Sequence, residues 1–239
     1  EHQQVQVEVT QAVAARTPAP NVLLIGGGGY TYARWVEAFT PQARIDVVEI
    51  DPGVTETAYR DLGLRRDTRI VSYNLDGRQF VQEIAVRGNY QLVVQDAVND
   101  LSVPAHIMTE EYNEAIRDIM TDDGIYLLSV IDLYKDGQLL RASIRTMQRT
   151  FPHVALLAAQ PSWQSGGAGV YIVYGSARPL DLPAVQAAWR ASGRGEARTV
   201  ALPADQLQAY VADGPQIVLT DQYAPVDNLI SILFSRRNA

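Results

Sequence analysis

A strand-like apolar run that leads directly into four glycines constrains this chain more than any other feature. Asn21–Ile25 form the apolar run, Gly26–Gly29 stop it, and apolar residues then recur at helical spacing over Tyr32–Phe39. This order predicts a strand, a glycine loop and a helix. Because the loop lacks side chains and the N-terminus of a helix offers free N–H groups, a ligand can approach the backbone there. The alternative is that the four glycines form only a tight turn.

The alternation of strand and helix patterns continues along the chain and predicts the fold class. Further strands are expected at 44–50, 68–72, 90–95 and 124–130, and helices at 78–86, 110–120 and 137–150. Strands that alternate with helices pair in parallel. The last two strands, at 154–157 and 170–174, are separated by a segment with Gly and Ser and predict an antiparallel edge hairpin. We therefore expect a Rossmann-like α/β fold of the adenosylmethionine-transferase type, with a mostly parallel seven-stranded sheet and helices on both faces.

Proline and glycine residues divide the chain into three expected parts. Residues 1–20 predict an N-terminal helix and a stiff connector that contains two prolines. Residues 21–176 predict a nucleoside-binding catalytic domain, and 177–239 a C-terminal helical appendage packed on it. The chain begins without Met or an apolar leader, which favours a piece of a longer protein.

Composition disfavours several kinds of site and partner. The chain has no cysteine, which excludes disulfides, thiol catalysis and cysteine-ligated metals. Its three histidines lack a metal-binding spacing, so no metal is expected. The formal net charge of −7 argues against nucleic-acid binding and favours a cationic ligand. No apolar run reaches the roughly 20 residues of a membrane-spanning helix, and we expect a cytoplasmic location.

Acidic residues follow the second and third predicted strands. Glu49 ends the second strand at about 20 residues beyond the glycine loop, a position from which a carboxylate can accept hydrogen bonds from both ribose hydroxyls. Asp76, followed by Gly77, can accept a hydrogen bond from an adenine amino group, or it can cap the next helix. Asp51 precedes Pro52 and is predicted to be a helix cap.

A further acid, Asp96, follows the fourth strand, with Asn99 and Asp100 close behind it. Residues just beyond the carboxyl end of a parallel strand face the ligand crevice. Carboxylates there can orient an amine nucleophile, take its proton and stabilise a sulfonium. The alternative is a turn whose Asp and Asn side chains bond to local N–H groups. His106 has no partner that can be identified from the sequence, and it is assigned no role.

Together these residues resemble the spermidine synthase family of polyamine aminopropyltransferases. The similarity runs from Val22 to Tyr174, and its motifs are VLLIGGGG at 22–29, VVEID at 47–51, DG at 76–77, the acidic loop from Asp96 and EEY at 110–112. Segments 96–104 and 220–229 are more similar to the spermidine synthase-like domains of long bacterial proteins that carry membrane-spanning segments. That branch implies a membrane segment in a longer parent chain.

The resemblance implies a reaction in polyamine biosynthesis, namely transfer of an aminopropyl group from decarboxylated S-adenosylmethionine to a polyamine such as putrescine. It also implies a homodimer. Asp96 would be the base, with Asp100 or Asn99 helping to place the amine. Asp76 and Gly77 would hold the adenine. The sugar and the methionine-derived portion would be held by Glu49 and the loop residues Gly26, Gly27, Gly28 and Gly29.

Three features depart from the family pattern. Gly29 stands where the family has an Asp for the amino group of the cofactor, and Asn99 stands at the place of the second loop acid. The small N-terminal β domain of the family is absent from these residues. Two alternatives therefore stay open: a methyltransferase that uses intact S-adenosylmethionine, and a non-catalytic module that senses an adenosyl ligand in a larger membrane protein. A nicotinamide-dependent oxidoreductase is disfavoured, because Thr31 replaces the third glycine of the dinucleotide fingerprint.

Overall fold

All seven predicted strands lie in one sheet in the computed structural model, which describes residues 2–98, 104–161, 163 and 167–237. An eighth strand of two residues was not expected. The strands are β1 (Asn21–Ile25), β2 (Arg44–Val48), β3 (Ile70–Tyr73), β4 (Tyr90–Gln95), β5 (Met120–Leu133), β6 (His153–Ala158), β7 (Ala168–Ser176) and β8 (Val200–Ala201).

The sheet confirms the predicted fold class. Its strand order is β3-β2-β1-β4-β5-β7-β6-β8. The first five strands in this order are parallel, because each is reached through a crossover. Strand β7 runs antiparallel to both β5 and β6, which gives the expected hairpin. The short β8 extends that edge, antiparallel to β6.

Helices cover both faces of the sheet. They are α1 (His2–Arg16), α2 (Thr31–Phe39), α3 (Pro52–Arg60), α4 (Gly77–Gln79), α5 (Glu110–Ile119), α6 (Leu139–Thr150), α7 (Leu182–Ala191), α8 (Ala204–Ala212) and α9 (Val226–Arg237). The helix expected at 78–86 is shorter, since α4 passes into a π-helical turn at Phe80–Ile84. No described helix has both the length and the apolar character that crossing a bilayer requires.

Two apolar cores, one on each face, account for the uninterrupted apolar runs of the central strands. On β1, Leu23 and Ile25 belong to the core that α5, α6, α8 and α9 cover, whereas Val22 and Leu24 belong to the core under α1, α2, α3 and α7. Successive strand residues point to opposite faces, so a strand buried on both sides is apolar at every position. The two cores lie on the faces of the sheet, and the carboxyl ends of the central strands form one of its ends.

The two terminal segments are joined to each other through a buried carboxylate. Glu8 of α1 is fully buried and accepts hydrogen bonds from the backbone N–H groups of Arg198 (2.7 Å) and Thr199 (2.9 Å), just before β8. The amide of Gln4 adds a third hydrogen bond at 2.8 Å. The division into an N-terminal helix, a catalytic domain and an appendage stays a prediction, but these contacts tie the first and last parts together.

Replacing Glu8 by Ala should lower the free energy of unfolding by roughly 2 to 4 kcal/mol, because two backbone N–H groups lose their acceptor in a buried place. Urea denaturation followed by circular dichroism measures this change. Glu83→Ala, at an exposed position, is the control and should stay within about 0.5 kcal/mol of the parent. Equal midpoints for Glu8→Ala and the parent would show that the buried carboxylate does not stabilise the fold.

Candidate functional site

Backbone hydrogen bonds align three of the predicted site residues in one row. The N–H of Asp96 donates to the last carbonyl of β1 (2.8 Å), that of Gly26 to the last carbonyl of β2 (2.8 Å), and that of Glu49 to the last carbonyl of β3 (3.0 Å). The parallel ladders thus continue for one residue beyond each strand. Gly26, Glu49 and Asp96 therefore lie side by side at the carboxyl edge, where ligands of open α/β sheets bind.

The glycine loop requires glycine at its first position. Gly26 has φ +96°, and a Cβ there would lie 2.5 Å from the carbonyl oxygen of Asp96. At Gly28, which has φ +47°, a Cβ would meet no described atom within 4 Å. The backbone of the loop is therefore packed against β4 on one side and open on the other. A ligand can approach this open side without meeting a side chain of the loop.

Glu49 organises the loop. Its Oε2 accepts hydrogen bonds from the N–H groups of Gly27 (2.9 Å) and Gly28 (3.1 Å), and its Oε1 accepts one from Asp51 (3.0 Å). The residue is 8% exposed. A carboxylate has about four acceptor positions, so these three donors leave about one for a ligand.

Asp76 has two kinds of partner. Its Oδ1 caps α4 by accepting hydrogen bonds from the N–H groups of Arg78 (2.9 Å) and Gln79 (3.2 Å). This is the helix-capping role that the sequence predicts as one of two alternatives. Its Oδ2 lies 2.7 Å from Nε2 of His106. Burial raises the pKa of Asp76, but the hydrogen bond and charge of His106 and the two N–H groups outweigh it, so that the pKa lies below the usual value. The adenine role of Asp76 stays a prediction.

Gly77 and Asp51, which neighbour these acids, make structural contacts, and the adenine role of Gly77 stays a prediction. A Cβ at Gly77 would lie 2.8 Å from Cγ2 of Ile25, so the turn that begins at Asp76 packs against the end of β1. Asp51 caps α3 by accepting from the N–H of Gly53 at 2.7 Å, in agreement with its predicted role.

Asp96 is held by side chains from two other elements. Nε2 of His2 and Nε2 of Gln6 each lie 3.2 Å from its Oδ2. Burial raises the pKa of Asp96, but the hydrogen bond and charge of His2 and the hydrogen bonds from Gln6 and Ser129 of β5 outweigh it, so that the pKa lies below the usual value. Asn99 and Asp100, the other predicted catalytic residues, lie outside the described residues. Within the described parts of the chain, no group of three or more Asp, Glu or His side chains is arranged to hold a metal ion.

Sequence reasoning missed several of these partners. His2 and Gln6 lie in a segment read as a helix and connector, and His106 was assigned no role. Arg78 forms a bidentate ion pair with Asp221 (2.6 and 2.5 Å), which attaches the C-terminal segment beside the Asp76 turn. The only available signal was the four-residue spacing of His2 and Gln6, which places them on one face of a helix.

The chain is similar to known proteins in sequence and in fold. The family model described as the spermine/spermidine synthase domain matches residues 5–178. The polyamine aminopropyltransferase of Vibrio vulnificus is 26% identical over 131 residues, which are 54% of this chain and 44% of that protein. The chain thus spans less than half the length of this curated relative.

Two solved structures share the fold. A probable spermidine synthase from Corynebacterium glutamicum superposes with a TM-score of 0.77 at 18% identity, covering 94% of this chain and 81% of the other. Human Methyltransferase-like protein 13, solved in complex with SAH, gives a TM-score of 0.64 at 18% identity and covers 96% and 99% of the two chains. At such identities the likeness concerns the fold alone.

5′-Methylthioadenosine, the nucleoside left after the aminopropyl transfer that the resemblance implies, is a probe for the site. Replacing Glu49 by Gln should weaken its binding about ten- to a hundredfold, because the amide NH₂ opposes the N–H donors of the loop and the charge is lost. Isothermal titration calorimetry gives the dissociation constants. Asp51→Asn is a matched control on the same strand end, and because Asn caps helices as well as Asp, its affinity should stay within about twofold of the parent. An unchanged affinity in Glu49→Gln would remove Glu49 from the ligand site.

Proposed function

This chain belongs to the spermine/spermidine synthase domain family, and on that basis we propose that it transfers an aminopropyl group from decarboxylated S-adenosylmethionine to a polyamine such as putrescine. The observation that carries the proposal is the row of Gly26, Glu49 and Asp96 at adjacent strand ends. This row supports the proposal, because the loop would receive the cofactor, Glu49 would accept sugar hydroxyls and Asp96 would act as the base along one edge.

The adenosyl part of the co-substrate would lie across the open side of the glycine loop. Glu49 would accept one ribose hydroxyl at its remaining acceptor position. A second hydroxyl would replace the N–H of Gly28, which forms the longer of the two bonds to Oε2. Asp76 would take the adenine amino group in place of, or together with, the imidazole of His106. The human neighbour solved with SAH supports a ligand of the adenosyl type.

Asp96 would act on the attacking amine. Its carboxylate orients the nitrogen and accepts a proton from it, and the nitrogen lone pair then forms a bond to the carbon beside the sulfonium. The carbon–sulfur bond breaks, sulfur keeps the electron pair, and 5′-methylthioadenosine leaves. Such a displacement depends on alignment and on negative charge near the two cationic groups. The residues at the strand ends would supply both the alignment and the negative charge.

Methyl transfer from intact S-adenosylmethionine is the second candidate, and Gly29 favours it. Among the described residues, a Cβ at Gly29 would have only the Oγ1 of Thr31 (3.5 Å) and Cδ1 of Leu62 (3.7 Å) within 4 Å, so the position is uncrowded, and it carries no acid. Without a carboxylate there, nothing at this position repels the carboxylate of the intact cofactor. Calorimetry with both cofactors side by side decides, since tighter binding of the intact form favours methyl transfer.

Purified protein with decarboxylated S-adenosylmethionine and putrescine should yield 5′-methylthioadenosine and spermidine, which chromatography with mass detection measures. Asp96→Asn should slow this reaction about a hundredfold to ten-thousandfold, the usual contribution of a general base. Asp67→Asn, an exposed acid in another part of the chain, should keep the parent rate. An unchanged rate in Asp96→Asn would exclude Asp96 as the base, and a parent without product for any amine would contradict the proposed function.

A cytoplasmic location and a homodimer stay predictions.

A further inference from the structure

The N-terminal helix α1 reaches the candidate base with two side chains. His2 and Gln6 lie one helical turn apart, and both Nε2 atoms are 3.2 Å from Oδ2 of Asp96. Residues four apart share one face of a helix. The side chain of Asp96 keeps 19% of its surface exposed, so these contacts hold the carboxylate without sealing it from a ligand.

The amide of Gln6 is oriented by this contact. Gln6 is fully buried, and besides Asp96 its Nε2 donates to Oγ of Ser129 at 3.2 Å. Among the described residues its Oε1 has no hydrogen-bond partner. An unsatisfied buried acceptor costs about 1 to 3 kcal/mol, but turning the amide over would place this oxygen against the carboxylate. Holding Asp96 therefore explains an orientation that is otherwise unfavourable.

Charge balance favours the ionised form of Asp96. Burial raises the pKa of its carboxyl group, but the hydrogen bond and charge of His2 and the hydrogen bonds from Gln6 and Ser129 outweigh burial, so that the pKa lies below the usual value. Donors from α1 and β5 thus fix both the direction and the charge of the carboxylate. A fixed anion at this edge is suited to orient a cationic amine.

We propose that His2 and Gln6 are positioning residues, and that α1 thereby forms part of the amine-binding side of the site by holding the Asp96 carboxylate in place for an amine substrate. This inference rests on the proposed function, in which Asp96 acts on the amine. Gln6 sets the direction of the carboxylate, because its Nε2 donates one hydrogen bond to Asp96 and another to Ser129. His2, whose side chain is 26% exposed, supplies a second donor to the same oxygen.

The first test measures Asp96 itself and needs no activity. Protein with ¹³C-labelled aspartate carboxyl groups is titrated by NMR, and the Asp96 signal is assigned from its absence in Asp96→Asn. Loss of donors to the ionised form should move the Asp96 midpoint to higher pH in His2→Ala and in Gln6→Leu. Gln3→Ala, on the same helix, is the control and should leave the midpoint unchanged. Parent-like midpoints in both His2→Ala and Gln6→Leu would overturn the inference.

The second test separates amine from nucleoside. In Gln6→Leu and His2→Ala, kcat/KM for putrescine should fall about tenfold or more, in line with loss of a charge-assisted hydrogen bond. The Kd for 5′-methylthioadenosine should stay within about twofold, which also shows that the variants are folded. Parent-like amine kinetics would overturn the role of α1. Absence of transfer in the parent is a separate result that refutes the proposed function, and the NMR midpoints still decide whether His2 and Gln6 position Asp96.

Discussion

The carboxylate of Glu49 is the contact on which the arrangement of the candidate site depends. A loop without side chains cannot fix its own conformation, and its N–H groups need acceptors. Glu49 supplies them to Gly27 and Gly28 from the end of the neighbouring strand. Because the N–H of Glu49 itself continues the ladder to β3, the loop is held in register with the sheet. The pairing of three strands thus determines where the loop backbone lies at the carboxyl edge of the sheet.

The strands and the site acids could be predicted because their signals are local. An apolar run buried on both faces is legible in sequence, and residues that follow parallel strands must share an edge. Glu49 and Asp96 follow from this rule. The partners of the acids could not be predicted, since Gln6 and His2 are 90 and 94 residues away from Asp96. Such pairs depend on how α1 packs on the finished sheet, and no local pattern encodes that packing.

Asp76 and Asp96 have similar electrostatic surroundings. Asp76 and Asp96 are both partly buried, and each accepts a hydrogen bond from a histidine that arrives from another segment. In both, burial raises the pKa, and hydrogen bonds with the histidine charge lower it further than burial raises it. Both carboxylates are therefore ionised at neutral pH, and an ionised carboxylate can orient a ligand with a sulfonium or an ammonium group.

The two candidate reactions make different demands on the residues that would contact the cofactor tail. In both, Gly26–Gly28 and Glu49 would hold the nucleoside that the two cofactors share, so these residues would not discriminate between them. At the Asp96 end, the carboxylate that α1 contacts would favour a cationic nucleophile in either reaction. The cofactor tail is different, because an acid at position 29 would repel the carboxylate of the intact cofactor, whereas Gly29 carries no charge. We therefore expect selectivity between the two cofactors to depend on the surroundings of Gly29.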